Sequence, residues 1–244
     1  MKKVVKFGGS SLASAEQFKK VGDIIRADKS RRYVVPSAPG KRSSSDTKVT
    51  DMLYSCYNLA IREKKFTSLL DEIHARYNEI IDGLNLELSL DHEFDMIREN
   101  FGKKIGRDYA ASRGEYLNGI IMANYLGFCF IDAAEVIRFH EDGSLDDEKT
   151  NELLSLRLEG EEFAVIPGFY GAKEDGTIVT GKTSSLLGAS AAVLLNAIKV
   201  LGEIPHDTHL IAPSAIEPIQ TLKTTYLEAK IPVSILTRFS LPCP

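Results

Sequence analysis

A lysine and a glycine-serine turn near the amino terminus are the first residues whose types and spacing could do chemistry. Lys6 lies at the end of a short β-branched run, and a turn of Gly8, Gly9, Ser10 and Ser11 follows it. Two glycines let the backbone approach a ligand closely, and their N–H groups can hold a phosphate. Lysine adds a mobile positive charge, and the serine hydroxyls add donors. Because such a turn after a strand is usually only a turn, the motif alone leaves phosphate binding open.

Two further polar side chains lie where a ligand could be held. Ser37 belongs to a loop, residues 36–41, that follows the second predicted strand. Glu115 ends a Ser-Arg-Gly-Glu segment at the expected start of a helical turn. Taken alone, Glu115 fits an acidic residue in the first turn of a helix, which the helix dipole stabilises. Considered with its neighbours, it becomes a candidate for binding a substrate.

The elements that must position these residues begin as a strand, a loop, a helix, a strand and a second loop. Strands are predicted over 3–7 and 33–35, and a helix between them is predicted from Phe18, Val21, Ile24 and Ile25 at helical spacing. Ser14 is a suitable N-cap for this helix. The order predicts a parallel sheet whose ligand-binding loops lie at the carboxyl ends of the strands.

The rest of the chain alternates between helical and strand patterns. Four helices are predicted between residues 46 and 126, at 50–62, 67–84, around 94–101 and at 108–126. Later strands are predicted at 128–131, 163–166, 177–180, 209–211 and 233–236, with helices at 184–201 and 215–229. No internal repeat, low-complexity tract or clear linker interrupts this order, which is that of a folded α/β protein.

Composition excludes several classes of protein. The 244 residues are 43% hydrophobic and 26% charged, and the formal net charge is −4, so disorder and fibrous structure are excluded. A mildly acidic chain has no global attraction to nucleic acid or to an anionic membrane. Its three cysteines have no zinc or disulfide spacing, and no signal peptide is recognisable. We therefore expect a cytoplasmic protein with neither a nucleic-acid nor a membrane partner.

Five short segments then occur in a consistent order from residue 2 to about 180. They are Lys6 to Ser11, Pro36 to Lys41, Ser112 to Glu115, Asp132 to Ala133, and Ile166 to Gly171. Together they resemble the motifs of aspartate kinases, in the amino acid kinase family. The resemblance implies an α/β fold, a three-layer sandwich with a mainly parallel sheet between helices and an atypical C-terminal part.

The resemblance also implies a reaction and gives the candidate residues their roles. Aspartate kinases transfer phosphate from ATP, with Mg²⁺, to the β-carboxylate of L-aspartate, the first step towards lysine, threonine and methionine. On this basis Lys6 stabilises the transferring phosphoryl group, and Gly8, Gly9 and Ser10 hold it in line. Ser37 and Glu115 hold aspartate, with Glu115 accepting from its ammonium group. No protein-ligated metal site is predicted, and a homo-oligomer is compatible with the sequence.

The chain departs from this family after Thr180. Aspartate kinases continue with an Arg-Gly-Gly-Ser-Asp loop whose arginine grips aspartate, and that loop is absent here. The segment from about residue 175 to 223 instead resembles the C-terminal part of an uncharacterised bacterial family of longer proteins. The chain is therefore interpreted as a hybrid, with a kinase-like part over 1–180 and an atypical segment over 181–244 packed on the same domain. Because the missing charge acts in phosphoryl transfer, we expect weak activity or none.

A second candidate phosphate-binding motif lies near residue 180, where the two resemblances meet. Residues 176–183 fit the P-loop pattern, but a P-loop needs a strand before its first glycine, whereas here a turn precedes it and a strand lies within it. Lys182 could still bind phosphate at a helix start, although an ordinary lysine there is the simpler interpretation. Two other hypotheses stay open: a non-catalytic aspartate- or phosphate-binding remnant, and a hybrid that uses Lys182 on another acyl or carboxylate substrate.

Overall fold

The computed structural model describes residues 2–141 and 143–180, and the chain divides after Thr180 into two units, of which this is the first. The strands are β1 (Lys3–Phe7), β2 (Arg31–Pro36), β3 (Cys129–Phe130), β4 (Ala164–Val165), β5 (Tyr170–Ala172) and β6 (Ile178–Thr180). The helices are α1 (Ala15–Arg26), α2 (Val49–Ile61), α3 (Thr67–Gly83), α4 (Asp91–Gly102), α5 (Arg107–Leu126), α6 (Ala133–Val136) and α7 (Asp147–Arg157).

Four strands form a parallel sheet in the order β1-β2-β4-β3, as the opening strand-helix-strand pattern predicted. The last two strands, β5 and β6, form a separate antiparallel hairpin. In a parallel sheet the carboxyl ends of all strands lie at the same edge. The loops that follow β1, β2 and β4 are therefore neighbours, and two of them contain the predicted site residues.

The side chains of the sheet alternate between two packed faces. One laterally paired row, Val5, Val34, Val165 and Phe130, packs into the large core that α1 to α5 cover. The adjacent row includes Tyr33, Ala164 and Cys129, and these pack into a smaller core with Leu153 and Leu154 of α7. Because successive strand residues point to opposite faces, the sheet lies between two helical layers. The predicted three-layer α/β architecture with a mainly parallel sheet is confirmed.

The predicted helix from its N-cap at Ser14 is also confirmed. The Ser14 hydroxyl accepts a hydrogen bond from the Gln17 N–H at 3.5 Å, and α1 begins at the next residue after its cap. Phe18, Val21 and Ile25 are buried, as their spacing predicted, whereas Ile24 is 49% exposed. This helix carries the chain from the end of β1 back to the start of β2, as a parallel pair requires.

Two of the described helices, the four-residue α6 and the longer α7, were absent from the sequence prediction. Asp146 caps α7 by accepting from the Lys149 N–H at 2.9 Å, and only Thr150 of this helix is buried. Leu156 is 67% exposed, so the apolar residues of α7 do not lie on one stripe. A helix covered this lightly lacks the periodic signal by which the longer helices were found.

Some sequence predictions fall beyond this unit. The strands and helices predicted after Thr180, and Lys182 with them, lie outside the described residues. Within residues 2–141 and 143–180, no helix is long and apolar enough to cross a membrane.

Candidate active site

The loops that follow β1 and β2 are joined through their backbones at the carboxyl edge of the sheet. The Ser37 N–H donates to the Phe7 carbonyl at 3.0 Å, and the Gly40 N–H donates to the Gly9 carbonyl at 2.8 Å. A Cβ atom added to Gly9 would lie 2.7 Å from the Ala38 oxygen, and one added to Gly40 would lie 2.6 Å from the Gly9 carbonyl carbon. Neither contact leaves room for a side chain. The glycines therefore allow the two loops to approach each other closely.

The predicted phosphate-binding turn has the required backbone shape. Gly8 is extended, and Gly9–Leu12 form one 3-10 turn in which the Ser11 N–H donates to the Gly8 carbonyl at 3.0 Å. The first N–H groups of a helical turn have no acceptor within it. Lys6 is exposed, and its Nζ lies 4.0 Å from the position of a Cβ on Gly8. An ammonium group and the start of a turn thus lie side by side, an arrangement that suits phosphate oxygens.

Glu115 joins this region from α5. The helix begins at Arg107, so Glu115 lies in its third turn, and the first-turn interpretation of this residue is wrong. Its carboxylate accepts a hydrogen bond from the Ala38 backbone, while the charge of Lys6 favours the ionised form. Burial opposes both effects and raises the pKa of the Glu115 carboxyl to about 8. A carboxyl group of this kind can gain or lose a proton near neutral pH.

The backbone of α5 approaches these loops closely at a small residue. A Cβ on Gly114 would lie 2.8 Å from the Ala38 Cβ. One turn further on, Asn118 is fully buried and its Nδ2 donates to the Ser37 carbonyl at 2.6 Å. Sequence reasoning missed Asn118, although a polar residue three positions after Glu115 shares its helix face. The Gly114 contact and the Asn118 hydrogen bond fix the Ser37 loop against the helix that carries Glu115.

A buried arginine of α5, Arg113, connects this helix to the β5-β6 hairpin through its contact with Tyr170. Arg113 is 6% exposed, and its guanidinium carbon lies 4.3 Å from the Tyr116 ring centroid, 4.7 Å from that of Tyr109 and 5.5 Å from that of Tyr170. The Tyr170 hydroxyl donates to Asp132 at 2.7 Å. Cation–π contacts of this kind stabilise a desolvated arginine. This cluster connects α5, α6 and β5, and it was not found from the sequence.

A third loop, after β4, lies at the same edge of the sheet and contains a strained residue. Phe169 has a φ of 78°, in the left-handed region that aromatic residues rarely adopt. Gly168 and Pro167 precede it, and a Cβ on Gly168 would lie 3.0 Å from Val35 of β2. Backbone strain of this type is concentrated at functional loops. Phe169 lies in Ile166 to Gly171, one of the five motif segments.

Comparison with known proteins decides the family. The profile of the amino acid kinase family matches residues 1–201. The chain belongs to this family. Aspartokinase 3 of Bacillus subtilis is 32% identical to the chain over 251 residues, an alignment covering 93% of the chain and 54% of that relative. The chain therefore spans about half the length of this curated relative.

Solved structures agree with this assignment. An aspartate kinase of Clostridium acetobutylicum, described as an allosteric enzyme, is 42% identical, with a TM-score of 0.75 over 82% of the chain and 46% of that structure. Aspartokinase III of E. coli, solved in complex with aspartate and ADP, is 22% identical, with a TM-score of 0.59 over 75% of the chain and 44% of that structure. The second likeness supports the fold. The predicted resemblance to aspartate kinases is confirmed.

The second resemblance is confirmed as well. A profile described as "Domain of unknown function DUF1846, C-terminal" matches residues 172–235. A UPF0371 protein of Corynebacterium urealyticum is 49% identical over 84 residues, which cover 34% of the chain and 17% of that relative. The two profiles overlap over residues 172–201, and the similarity of the chain passes from one family to the other within that interval.

The described part of the P-loop-like pattern, residues 176–180, does not have the P-loop geometry. Gly176 lies in a turn with a φ of 83°, and Ile178–Thr180 pair with β5 in an antiparallel hairpin. A strand inside the pattern, in place of a loop, excludes the P-loop geometry. Lys182 lies outside the described residues.

ATP with magnesium needs donors for its phosphate oxygens and oxygen ligands for the metal ion. Backbone N–H groups at the turn and the Lys6 ammonium suit phosphate oxygens. Over 2–141 and 143–180, no group of three or more histidine, cysteine or acidic residues could hold a metal ion. The described part of the site therefore fits a nucleotide phosphate and supplies no cage for magnesium.

Proposed function

We propose that this amino acid kinase binds ATP and L-aspartate at the carboxyl edge of its sheet and acts as an aspartate kinase. One observation carries the proposal. Lys6 with its glycine turn, and Glu115 with the Ser37 loop, meet through Gly9, Gly40 and Ala38. A phosphate-binding element and a buried carboxyl group are thereby placed side by side, which a kinase acting on an amino acid requires.

The phosphate half of the site would act on the transferring group. An oxygen of the aspartate β-carboxylate attacks the γ-phosphorus of ATP, the bond to the β-phosphate oxygen breaks, and aspartyl phosphate and ADP result. Little covalent chemistry is needed from the protein, because positioning and charge neutralisation carry most of phosphoryl transfer. Lys6 neutralises charge on the phosphoryl oxygens, and the Gly8, Gly9 and Ser10 backbone holds the group in line with the attacking oxygen.

The carboxylate half would hold the amino acid. Glu115 binds the ammonium group of aspartate once its own proton has left, and the Ser37 loop covers the carboxylate end. Since burial raises the pKa of the Glu115 carboxyl to about 8, an arriving ammonium favours ionisation and releases that proton. The empty site is thus neutral at this position, and the occupied site contains a buried ion pair.

The C-terminal segment affects how well the chain could catalyse the reaction. The Arg-Gly-Gly-Ser-Asp loop of aspartate kinases is absent, and the chain is similar to another family from residue 172 onwards. We therefore expect turnover far below that of a complete enzyme. The second candidate function is a binding module for aspartate or nucleotide phosphate without turnover, and the absent loop is the observation that favours it. Under a third, Lys182 supplies phosphate binding for another acyl or carboxylate substrate.

The remaining expectations belong to the same proposal. The kinase-like part ends near Thr180, between the limits set by the two overlapping profiles at residues 172 and 201. The nucleotide arrives with Mg²⁺, and the product enters the pathway to lysine, threonine and methionine. The protein acts in the cytoplasm, without nucleic acid or membrane, and can form homo-oligomers.

An assay of ADP release tests this proposal. The full chain is mixed with ATP, magnesium and L-aspartate, and ADP is measured by a coupled reaction. We expect slow, aspartate-dependent turnover that falls about 100-fold or more in Lys6→Ala, because a charge on the transferring group is lost. Lys3→Ala, on the same strand but at its opposite end, is the matched control and keeps the parent rate.

The other outcomes separate the candidates. A folded protein that binds aspartate or ADP but releases no ADP supports the binding module. If Lys182→Ala weakens phosphate binding as much as Lys6→Ala does, the third hypothesis gains support. A protein that binds neither ligand contradicts all three.

A further inference from the structure

A buried arginine outside the motifs holds the loop that follows β2. Arg76 lies in α3 and is 3% exposed. Its Nη1 donates to the Thr47 carbonyl at 2.7 Å, and its Nη2 donates to the Gly40 carbonyl. The same Nη2 lies 3.1 Å from the Asp46 carboxylate. One planar guanidinium therefore contacts three residues of a single loop.

These contacts fix both ends of the loop. Gly40 and Thr47 flank the six residues 41–46. Because the rigid Arg76 guanidinium donates to both of their carbonyls, it fixes the distance between the two ends of this segment. Gly40 also donates to the Gly9 carbonyl at 2.8 Å, and Ala38 donates to Glu115. The Gly9 turn keeps its own hydrogen bond, from the Ser11 N–H to the Gly8 carbonyl, so a displacement of the loop acts mainly on the Ala38–Glu115 contact.

A second arginine completes the network from within the loop. The Arg42 N–H donates to Asp46 at 2.9 Å, and Arg42 Nε donates to the same oxygen at 3.0 Å. Arg42 is itself exposed and also contacts Glu79 of α3 at 2.9 Å. Asp46 thus lies between a loop arginine and a helix arginine, which ties the loop to α3 at a further point.

Stability alone is a poor explanation for this arrangement. Within the described part of the chain, the buried Nε of Arg76 has no hydrogen-bond partner. Burying a charged group costs free energy that its partners repay only when every donor is satisfied, and apolar replacements are often as stable. An incompletely satisfied arginine is better explained by the geometry that it imposes on Gly40 and Thr47.

We propose that Arg76 is a positioning residue that holds loop 40–47 in the conformation that binds the carboxylate substrate. The inference rests on the proposed function, since it concerns aspartate. The proposal predicts that loss of the Arg76 guanidinium weakens aspartate binding. ATP binding, which depends on Lys6 and its turn, changes little.

The test compares Arg76→Lys with the parent in the full chain. Lysine keeps the charge, but a single ammonium cannot hold both carbonyls in the same plane. We expect aspartate affinity by calorimetry to fall about tenfold, equivalent to about 1.4 kcal/mol, with ADP affinity within twofold. Hydrogen exchange at residues 41–48 accelerates about tenfold or more. The matched control is Arg98→Lys: Arg98 is a partly exposed residue of α4 that pairs with Asp71 and Asp95, and its replacement changes neither the two affinities nor the exchange rate.

A second variant guards against misfolding of the first. Asp46→Asn leaves Arg76 in place and removes the negative charge from one of its three partners, so a smaller change in the same direction supports the proposal. Parent-like aspartate affinity in both variants, or equal losses for aspartate and ADP, overturns it. If the parent itself binds no aspartate, the proposed function fails and the role of Arg76 falls with it. A parent that binds while both variants bind equally well removes only the positioning role.

Discussion

The two halves of the candidate site are built in different ways. The phosphate half, Lys6 and the turn that follows it, occupies six consecutive residues at the end of one strand. The carboxylate half brings Glu115 from α5, Ser37 and Ala38 from the loop after β2, and Arg76 from α3. A short local motif can survive when the chain around it changes. A site assembled from distant segments depends on the packing of the whole first unit.

The largest difference between the two halves is expected from a substitution in the carboxylate half alone. Glu115→Gln retains an oxygen that can accept from Ala38 but removes the charge that pairs with an ammonium group. We expect aspartate affinity to fall roughly 30- to 100-fold, since a desolvated charge-assisted contact is worth about 2–3 kcal/mol. ADP affinity stays within twofold. Calorimetric titration of both ligands checks the prediction. An equal loss of ADP affinity would show that the two halves do not bind their ligands independently.

Stability supplies the folding control for that variant. Because the pKa of Glu115 is raised to about 8 from an ordinary 4.5, its stabilising contribution is complete below pH 4.5 and is lost as the pH rises through 8. Relative to the parent, the free energy of unfolding of Glu115→Gln is therefore higher at pH 9 than at pH 6, by about 2–3 kcal/mol. Urea unfolding at the two pH values measures this difference.

A smaller effect, on both ligands, is expected from a substitution at Gly9, where the two halves are in contact. Gly9→Ala would place a methyl group 2.7 Å from the Ala38 oxygen, forcing the two loops apart. We expect about tenfold weaker binding of both aspartate and ADP, with unfolding easier by about 1–3 kcal/mol. Gly102→Ala is the matched control, because no atom lies within 4 Å of a Cβ there. Loss of one ligand alone would show that Gly9 serves only its own half.

The same division explains what could be predicted from the sequence. Lys6 and the glycine turn are local, and the periodic patterns of α1 to α5 are strong, so these were predicted close to their observed bounds. Glu115 was identified through its motif, yet its position in the third turn of α5 depends on where the helix begins. Asn118 and Arg76 act through contacts with residues 81 and 36 positions away, which no pattern of spacing encodes. The lightly buried α7 gave no periodic signal.

The central claim is that a neutral, buried Glu115 becomes ionised when it binds the ammonium group of aspartate. The most direct measurement is aspartate binding to the full chain by calorimetry between pH 6.5 and 8.5, in two buffers of different ionisation enthalpy. A pKa of about 8 predicts affinity rising roughly 20-fold across this range and about 0.9 proton released per aspartate at pH 7. Glu115→Gln should show neither effect. Parent affinity that is independent of pH, with no proton released, would contradict the account.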